Sequence, residues 1–244
     1  MRTSQNLLNR ALEAASAKFR GETSVVGEAV RPPKATLSEL VESHFTQFSS
    51  PNHPCRRSLQ VALDLLGKNP AVIYETGSSA WGTNSTLLFD DYVNSFGGAL
   101  FTVDNRIEPM VRLVDQCSSK TTLCCDDSVE FLTKMVGRGP APDLVYLDSW
   151  DVDWSAPVPS AVHGLSEFLT VLPFLRKGSL LIIDDTPKDV AVMREVQPTF
   201  VDNFLQSQLT WGFMPGKGVL VNEFIASRGV AKKIFHEYQV VWQF

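Results

Sequence analysis

At 244 residues, 44% apolar and 20% charged, the chain is long enough for one α/β domain with a full core, and its composition excludes a disordered polymer. A formal net charge of −5 gives no electrostatic footprint for a nucleic acid or an anionic membrane, and no apolar run approaches the ~18 residues of a membrane span. Cys55, Cys117, Cys124 and Cys125 make neither a CxxC pair nor a zinc spacing, which fits free buried thiols in a reducing compartment and predicts a cytoplasmic protein.

Residues 1–54 read as an N-terminal helical extension to a domain over 55–244. Leu8, Leu12, Ala15 and Phe19 share one helical stripe. Arg31-Pro32-Pro33-Lys34 breaks the extension in two. Thr36 and Glu39 then have capping-box spacing, and Leu37, Leu40, Val41, His44 and Phe48 follow as an apolar face on which His44 is a packing residue. From Cys55 helices and strands alternate. A helix carrying Leu59, Leu63 and Leu66 ends at Gly67. Strands are predicted at 71–75, 99–104, 121–125, 144–147 and 180–183. The helices between and after them fall at 84–96, around Pro109, at 128–135 and 161–175, and at 188–204, where Pro198 should kink or split the last. This order predicts an α/β, Rossmann-like, doubly wound and mostly parallel sheet. Residues 218–226 and 234–244 read as two extended stretches, a C-terminal antiparallel pair that brings the sheet to seven strands.

Two of the apolar runs end on aspartate. Leu144-Val145-Tyr146-Leu147 runs into Asp148, and Leu180-Leu181-Ile182-Ile183 runs into Asp184-Asp185. Carboxylates at the carboxyl ends of buried parallel strands open onto the crevice where α/β proteins bind ligands. Three acids meeting there repel one another unless a cation sits between them. Hard oxygen donors of this kind select Mg²⁺, Ca²⁺ or Mn²⁺. The first strand leads into a loop with Glu75, Gly77, Ser78, Gly82, Asn84 and Ser85; glycines admit a ligand close to the backbone, and the following helix N-terminus favours an anionic group. Gly77-x4-Gly82 lacks the third glycine of GxGxxG, and no Tyr-x-x-x-Lys pair occurs, so a nicotinamide-dependent oxidoreductase is disfavoured. Asp104 ends the second strand, where a carboxylate can accept from ribose hydroxyls. Asp126-Asp127-Ser128 after the third reads as a helix N-cap with acids suited to the dipole; with Ser128 or Asp126 as the cap, Asp127 can face an adenine amino group.

Over residues 55–244 this series resembles the class I S-adenosylmethionine-dependent methyltransferases. The resemblance implies that Glu75, Gly77, Ser78, Gly82, Asn84 and Ser85 surround the amino-acid part of the cofactor, with Asp104 at the ribose and Asp127 and Ser128 at the adenine. The acidic end is similar to the divalent-cation-dependent O-methyltransferases of the catechol and antibiotic-sugar type. That likeness implies Asp148, Asp184 and Asp185 as ligands of Mg²⁺ or another divalent cation, with Asp148 also beside the cofactor. The Asp-Asp pair is closer to the sugar enzymes than to the Asp-Asn of the catechol enzyme. Where the catechol enzyme has a lysine, three residues after its strand-four acid, this chain has Asp151, which becomes the first candidate base; His163, at the start of the next helix, is the second. Trp150 and Trp154 either wall a substrate pocket or pin their loop. His53 and His236 read as structural or surface residues. The expectation is methyl transfer from S-adenosylmethionine to a hydroxyl of a small molecule, with no nucleic-acid or membrane partner. A metal-independent or N-directed methyltransferase and an inactive cofactor-binding protein stay open, as does a homo-oligomer.

Overall fold

The computed structural model describes residues 24–26, 31–79 and 82–244; the stripe of Leu8, Leu12, Ala15 and Phe19 lies outside them, as does Ala80-Trp81 of the glycine loop. Parallel strands β2 (Ala71–Thr76), β3 (Gly98–Asp104), β4 (Thr121–Cys125), β5 (Leu144–Leu147) and β6 (Leu180–Ile183) form the centre of the sheet. β7 (Lys232–His236) and β8 (Val240–Gln243) add the antiparallel pair, β8 against β6. Beyond these seven, the short strand β1 (Ser24–Val26) pairs antiparallel with β4, giving the order β1-β4-β3-β2-β5-β6-β8-β7.

The central strands are buried on both faces, which is why they read as unbroken apolar runs. Ile73, Leu144, Tyr146, Leu180 and Ile182 point to one core. That core is completed by Leu40 and Phe45 of α1 (Leu37–Gln47), Leu59 and Leu63 of α2 (Arg56–Leu66), and Leu88 and Phe89 of α3 (Ser85–Phe96). Tyr74, Val145, Leu147, Leu181 and Ile183 point to the other, against Phe131 of α5 (Ser128–Met135) and Phe168 of α6 (Val158–Val171). Between β3 and β4 runs α4 (Ile107–Val114). The forward half of the capping box forms at α1, where Thr36 Oγ1 accepts from Glu39 N at 3.1 Å; the Glu39 carboxylate reaches one residue further back and accepts from Ala35 N at 3.1 Å. His44 packs as expected. Its Nε2 donates to the Thr83 carbonyl at 2.7 Å, and burial lowers its pKa to about 4.

The C-terminal third departs from the sequence reading in one place. Residues 218–226 are not extended; they lie in a helix, α9 (Val219–Arg228), and the first strand of the pair comes later, at β7. Val219 and Val221 mimic a period-2 pattern, but the buried pair Val221 and Ile225 has helical spacing and packs in the core beside α6, with Phe224 edge-on to Phe168 at 5.5 Å. Tertiary packing here outweighs the β-propensity of valine. Pro198 does divide its segment, into α7 (Val190–Val196) and α8 (Val201–Trp211), joined by a 3₁₀ turn at Pro198–Phe200. Among the described residues no helix is long and apolar enough to cross a membrane.

The strand register places the site. Thr76 lies opposite Val103 on one side and Leu147 on the other, and Leu147 lies opposite Ile183. The residues that follow these, Gly77, Asp104, Asp148 and Asp184, therefore leave the sheet at one level, beside the point where strand order reverses around β2. Phe168 is fully buried between α6 and the sheet. Phe168→Ala is expected to cost about 3–5 kcal/mol in urea denaturation; a loss under about 1 kcal/mol would contradict this packing.

Candidate functional site

The acids after β5 and β6 converge. One carboxylate oxygen from each of Asp148, Asp184 and Asp185 lies within 4.8 Å of the others. Consecutive residues of an extended strand point to opposite faces. Asp185 escapes that constraint by taking a left-handed conformation, φ 43°, which aspartate tolerates better than most residues, so both members of the pair reach the cluster.

Each carboxylate is held from behind. Asp184 Oδ1 accepts from Gln239 Nε2 at 2.7 Å and from the Cys55 thiol at 3.5 Å. Asp185 Oδ1 accepts from Tyr238 OH at 2.6 Å, and that hydroxyl is itself fixed by Gln197 Nε2 at 3.1 Å. Asp148 Oδ2 accepts from Tyr146 OH at 3.3 Å, while its Oδ1 receives Lys217 Nζ at 2.6 Å. Burial pushes the Asp148 carboxyl well above the usual carboxylate range, and the Asp184 charge adds to that push against the opposing Lys217. Asp185 rises to about 6 for the same reasons in the same order. Burial leads both shifts, the like charge of Asp184 comes second, and Lys217 opposes them.

None of Lys217, Tyr238, Gln239 and Tyr146 was expected from the sequence. Lys217 did carry a signal: it stands between Gly216 and Gly218 in a stretch otherwise poor in charge. Tyr238 and Gln239 lie in the β7–β8 turn, and only the fold brings that turn to the acids.

On the other side of the crevice, Glu75 faces inward. It is fully buried and accepts from Ser85 Oγ, Thr86 Oγ1 and Thr102 Oγ1, each at 2.6 Å. Ser78 Oγ joins the same net through Thr102 Oγ1 at 2.6 Å. Glu75 thus ties the glycine loop, the start of α3 and β3 together. Gly77, with φ 83°, sits against Asp148: a Cβ there would overlap the Asp148 carbonyl. That contact makes the glycine loop and the acidic cluster neighbours. Gly82 (φ 75°) and Asn84 (φ 50°) turn the chain into α3, and Asn84 Nδ2 donates to the Phe48 carbonyl.

Asp104 is held by Arg106, whose Nε and Nη2 reach its two oxygens at 2.9 Å each. Asp127 caps α5, one oxygen accepting from Val129 N at 2.9 Å and Glu130 N at 3.0 Å. Ser128 Oγ lies 3.0 Å from His163 Nε2, which also meets Ser149 Oγ at 2.9 Å. Glu167, one helical turn on, raises the His163 pKa. Trp150 packs on the His163 ring with centroids 5.1 Å apart.

Both halves line one cleft of about 2100 Å³. Gly77, Gly82, Asn84 and Arg106 border one part of it; Asp148, Asp184, Asp185 and Asp151 border the other. Trp150 and Trp154 are also on its wall, Trp150 half exposed. His53 lines the cleft too, beside Gly82 and close enough to Asp184 to feel its charge. Glu75, Ser78, Ser85, Asp104, Asp127, Ser128 and His163 do not line this cleft; Glu75, Ser78 and Ser85 are fully buried, whereas Asp127 is exposed.

No protein-family model and no curated protein matches the chain. Among solved structures it is similar to MycE, a methyltransferase from the mycinamycin biosynthetic pathway in complex with Mg and SAH, with a TM-score of 0.57 at 17% identity over 86% of this chain and 55% of that one. A second MycE structure, with Mg, SAH and mycinamycin VI, matches with the same TM-score at 16% identity over 86% of this chain and 54% of that one. The chain spans about half the length of MycE. A looser match, TM-score 0.47 at 14% identity over 88% of this chain and 94% of that one, is the O-methyltransferase from Bacillus cereus in complex with SAH. The chain shares with MycE a Rossmann-like α/β fold.

Burial pushes the Glu75 carboxyl from about 4.5 up to about 7, against the three hydroxyls that stabilise its charged form. The folded state therefore holds a proton that the unfolded chain releases near pH 4.5. This stabilisation is full below that pH and is lost as pH rises through about 7. Glu75→Gln should remove a decline in stability on the order of 3 kcal/mol across that window. Urea denaturation at several pH values tests this, and an identical pH slope in both proteins would contradict it.

Proposed function

We propose that the chain is an S-adenosylmethionine-dependent O-methyltransferase acting on a hydroxyl of a small molecule, with a divalent cation held by Asp148, Asp184 and Asp185. The observation that carries this reading is the shared level of β2, β5 and β6, which sets a glycine loop and three convergent carboxylates in one cleft. The donor set suits such an ion: three hard oxygen ligands, outer hydrogen bonds that orient them, and three carboxylates set against one ammonium. A bound divalent cation would act as a Lewis acid toward the acceptor hydroxyl. The Mg, SAH and mycinamycin VI found in MycE support a site divided in this way.

On this reading Gly77, Ser78, Gly82, Asn84 and Ser85 surround the amino-acid part of the cofactor, and Glu75 acts by holding that loop in shape. Asp104 with Arg106 meets the ribose, and Asp127 and Ser128 border the adenine, their side chains serving mainly the α5 cap and the His163 contact. Asp148 faces both cofactor and cation. The methyl group leaves the sulfonium as the acceptor oxygen bonds to it, and the hydroxyl proton passes to a base. Asp151 is the better candidate because it lines the cleft, whereas His163 does not and is held by Ser128 and Ser149. Trp150 and Trp154 give the acceptor apolar faces to lie against.

With a panel of phenolic and sugar acceptors, methyl transfer should vanish in EDTA and return with Mg²⁺, while calorimetry shows S-adenosylhomocysteine binding in both conditions. Undiminished turnover in EDTA would exclude the cation. Asp151→Asn is expected to lower kcat at least about tenfold with little change in S-adenosylhomocysteine affinity; a wild-type rate would remove Asp151 from the reaction.

A further inference from the structure

The fourth charged group of the cluster, Lys217, calls for its own account. It is fully buried, with Nζ 2.6 Å from Asp148 Oδ1 and 3.8 Å from Asp185 Oδ2. Among the described residues it is the only cation whose ion pairs reach these acids. Its backbone is tied on both sides. Lys217 N donates to the Asp185 carbonyl at 3.0 Å, and its own carbonyl lies against Gly164 of α6, where a Cβ would come within 2.7 Å. Gly218 N donates to Thr186 Oγ1 at 2.9 Å. The ammonium is therefore delivered to one place by a clamped turn.

Burying an ammonium and carboxylates is a poor way to gain stability, since desolvation offsets most of the attraction. The arrangement makes better sense as charge matching. Three carboxylates and one ammonium leave two negative charges, the complement of a single divalent ion. The ammonium also sits on Asp148 Oδ1, on a carboxylate that is offered to that ion. We propose that Lys217 is the resident counter-cation of the cluster: it holds Asp148 and Asp185 together before the ion arrives, and it weakens the ion's binding by charge and by competition for Asp148. Lys217 is thus a positioning residue that sets metal affinity. The inference rests on the reading of the three acids as a divalent-cation site.

Calorimetric titration of Mn²⁺ into the EDTA-stripped full chain separates the two claims. The wild type should bind Mn²⁺ measurably, and Lys217→Met should bind it roughly tenfold more tightly or better, because a repelling charge next to the site is gone. Lys217→Arg, which keeps the charge, should stay near wild type. The Lys217→Met chain without metal should melt below wild type, and saturating Mn²⁺ should recover much of the difference. If that variant does not fold, Lys217→Gln, which retains an N–H donor toward Asp148, should show the same tightening. Unchanged or weaker Mn²⁺ binding in the uncharged variant, with the wild type binding normally, overturns the counter-cation role alone. No Mn²⁺ binding by the wild type overturns the cation site and this inference with it.

Discussion

The register of three neighbouring parallel strands is the constraint on which the site depends. Because Thr76, Leu147 and Ile183 lie side by side, the residues after them emerge together at one edge of the sheet. The closeness of Gly77 to the Asp148 carbonyl leaves no room for a side chain, so the glycine loop and the first acid of the cluster cannot move apart independently. A shift of one residue between β2 and β5 would turn every side chain on the moved strand to the opposite core. Burial on both faces of the sheet protects the register, and the register in turn protects the crevice.

Within that frame the chain concentrates negative charge where water is scarce. Asp148, Asp184 and Asp185 are tied by donors from three parts of the fold: Tyr146 on β5, Gln239 and Tyr238 in the turn before β8, Lys217 before α9. The antiparallel pair at the edge thus does more than close the sheet, since its turn carries two of the groups that hold the carboxylates. Glu75 shows the complementary solution on the other side of the crevice. Its carboxylate is surrounded by hydroxyls and serves the loop's shape. Glu75 serves the architecture, while Asp148, Asp184 and Asp185 face the cleft.

The parts of this arrangement legible in the sequence are those carried by local pattern. Apolar runs of four residues ending in aspartate marked β5 and β6, and the glycine loop, Asp104 and Asp127 fell at the ends of β2, β3 and β4. The cap at Thr36 and the division at Pro198 were likewise local. What escaped was tertiary. Lys217, Tyr238 and Gln239 reach the cluster across more than fifty residues or through a turn whose position depends on the sheet order, and no spacing rule encodes that. Residues 218–226 misled because valines at alternate positions satisfy a strand pattern as readily as a helix face, and only the packing beside α6 decides between them. At Asp126-Asp127-Ser128 the sequence left the cap to Ser128 or Asp126; in the structure Asp127 is the cap.

The central claim is that the three aspartates form one cation site. Its most direct measurement is the free-ion electron paramagnetic resonance signal of Mn²⁺ during titration of the wild-type chain and of Asp184→Asn. The account predicts one bound ion per wild-type chain and a loss of affinity of at least about tenfold in the variant, which keeps the side-chain shape and removes one ligand charge. Equal binding by the two proteins, or no binding by the wild type, would contradict it.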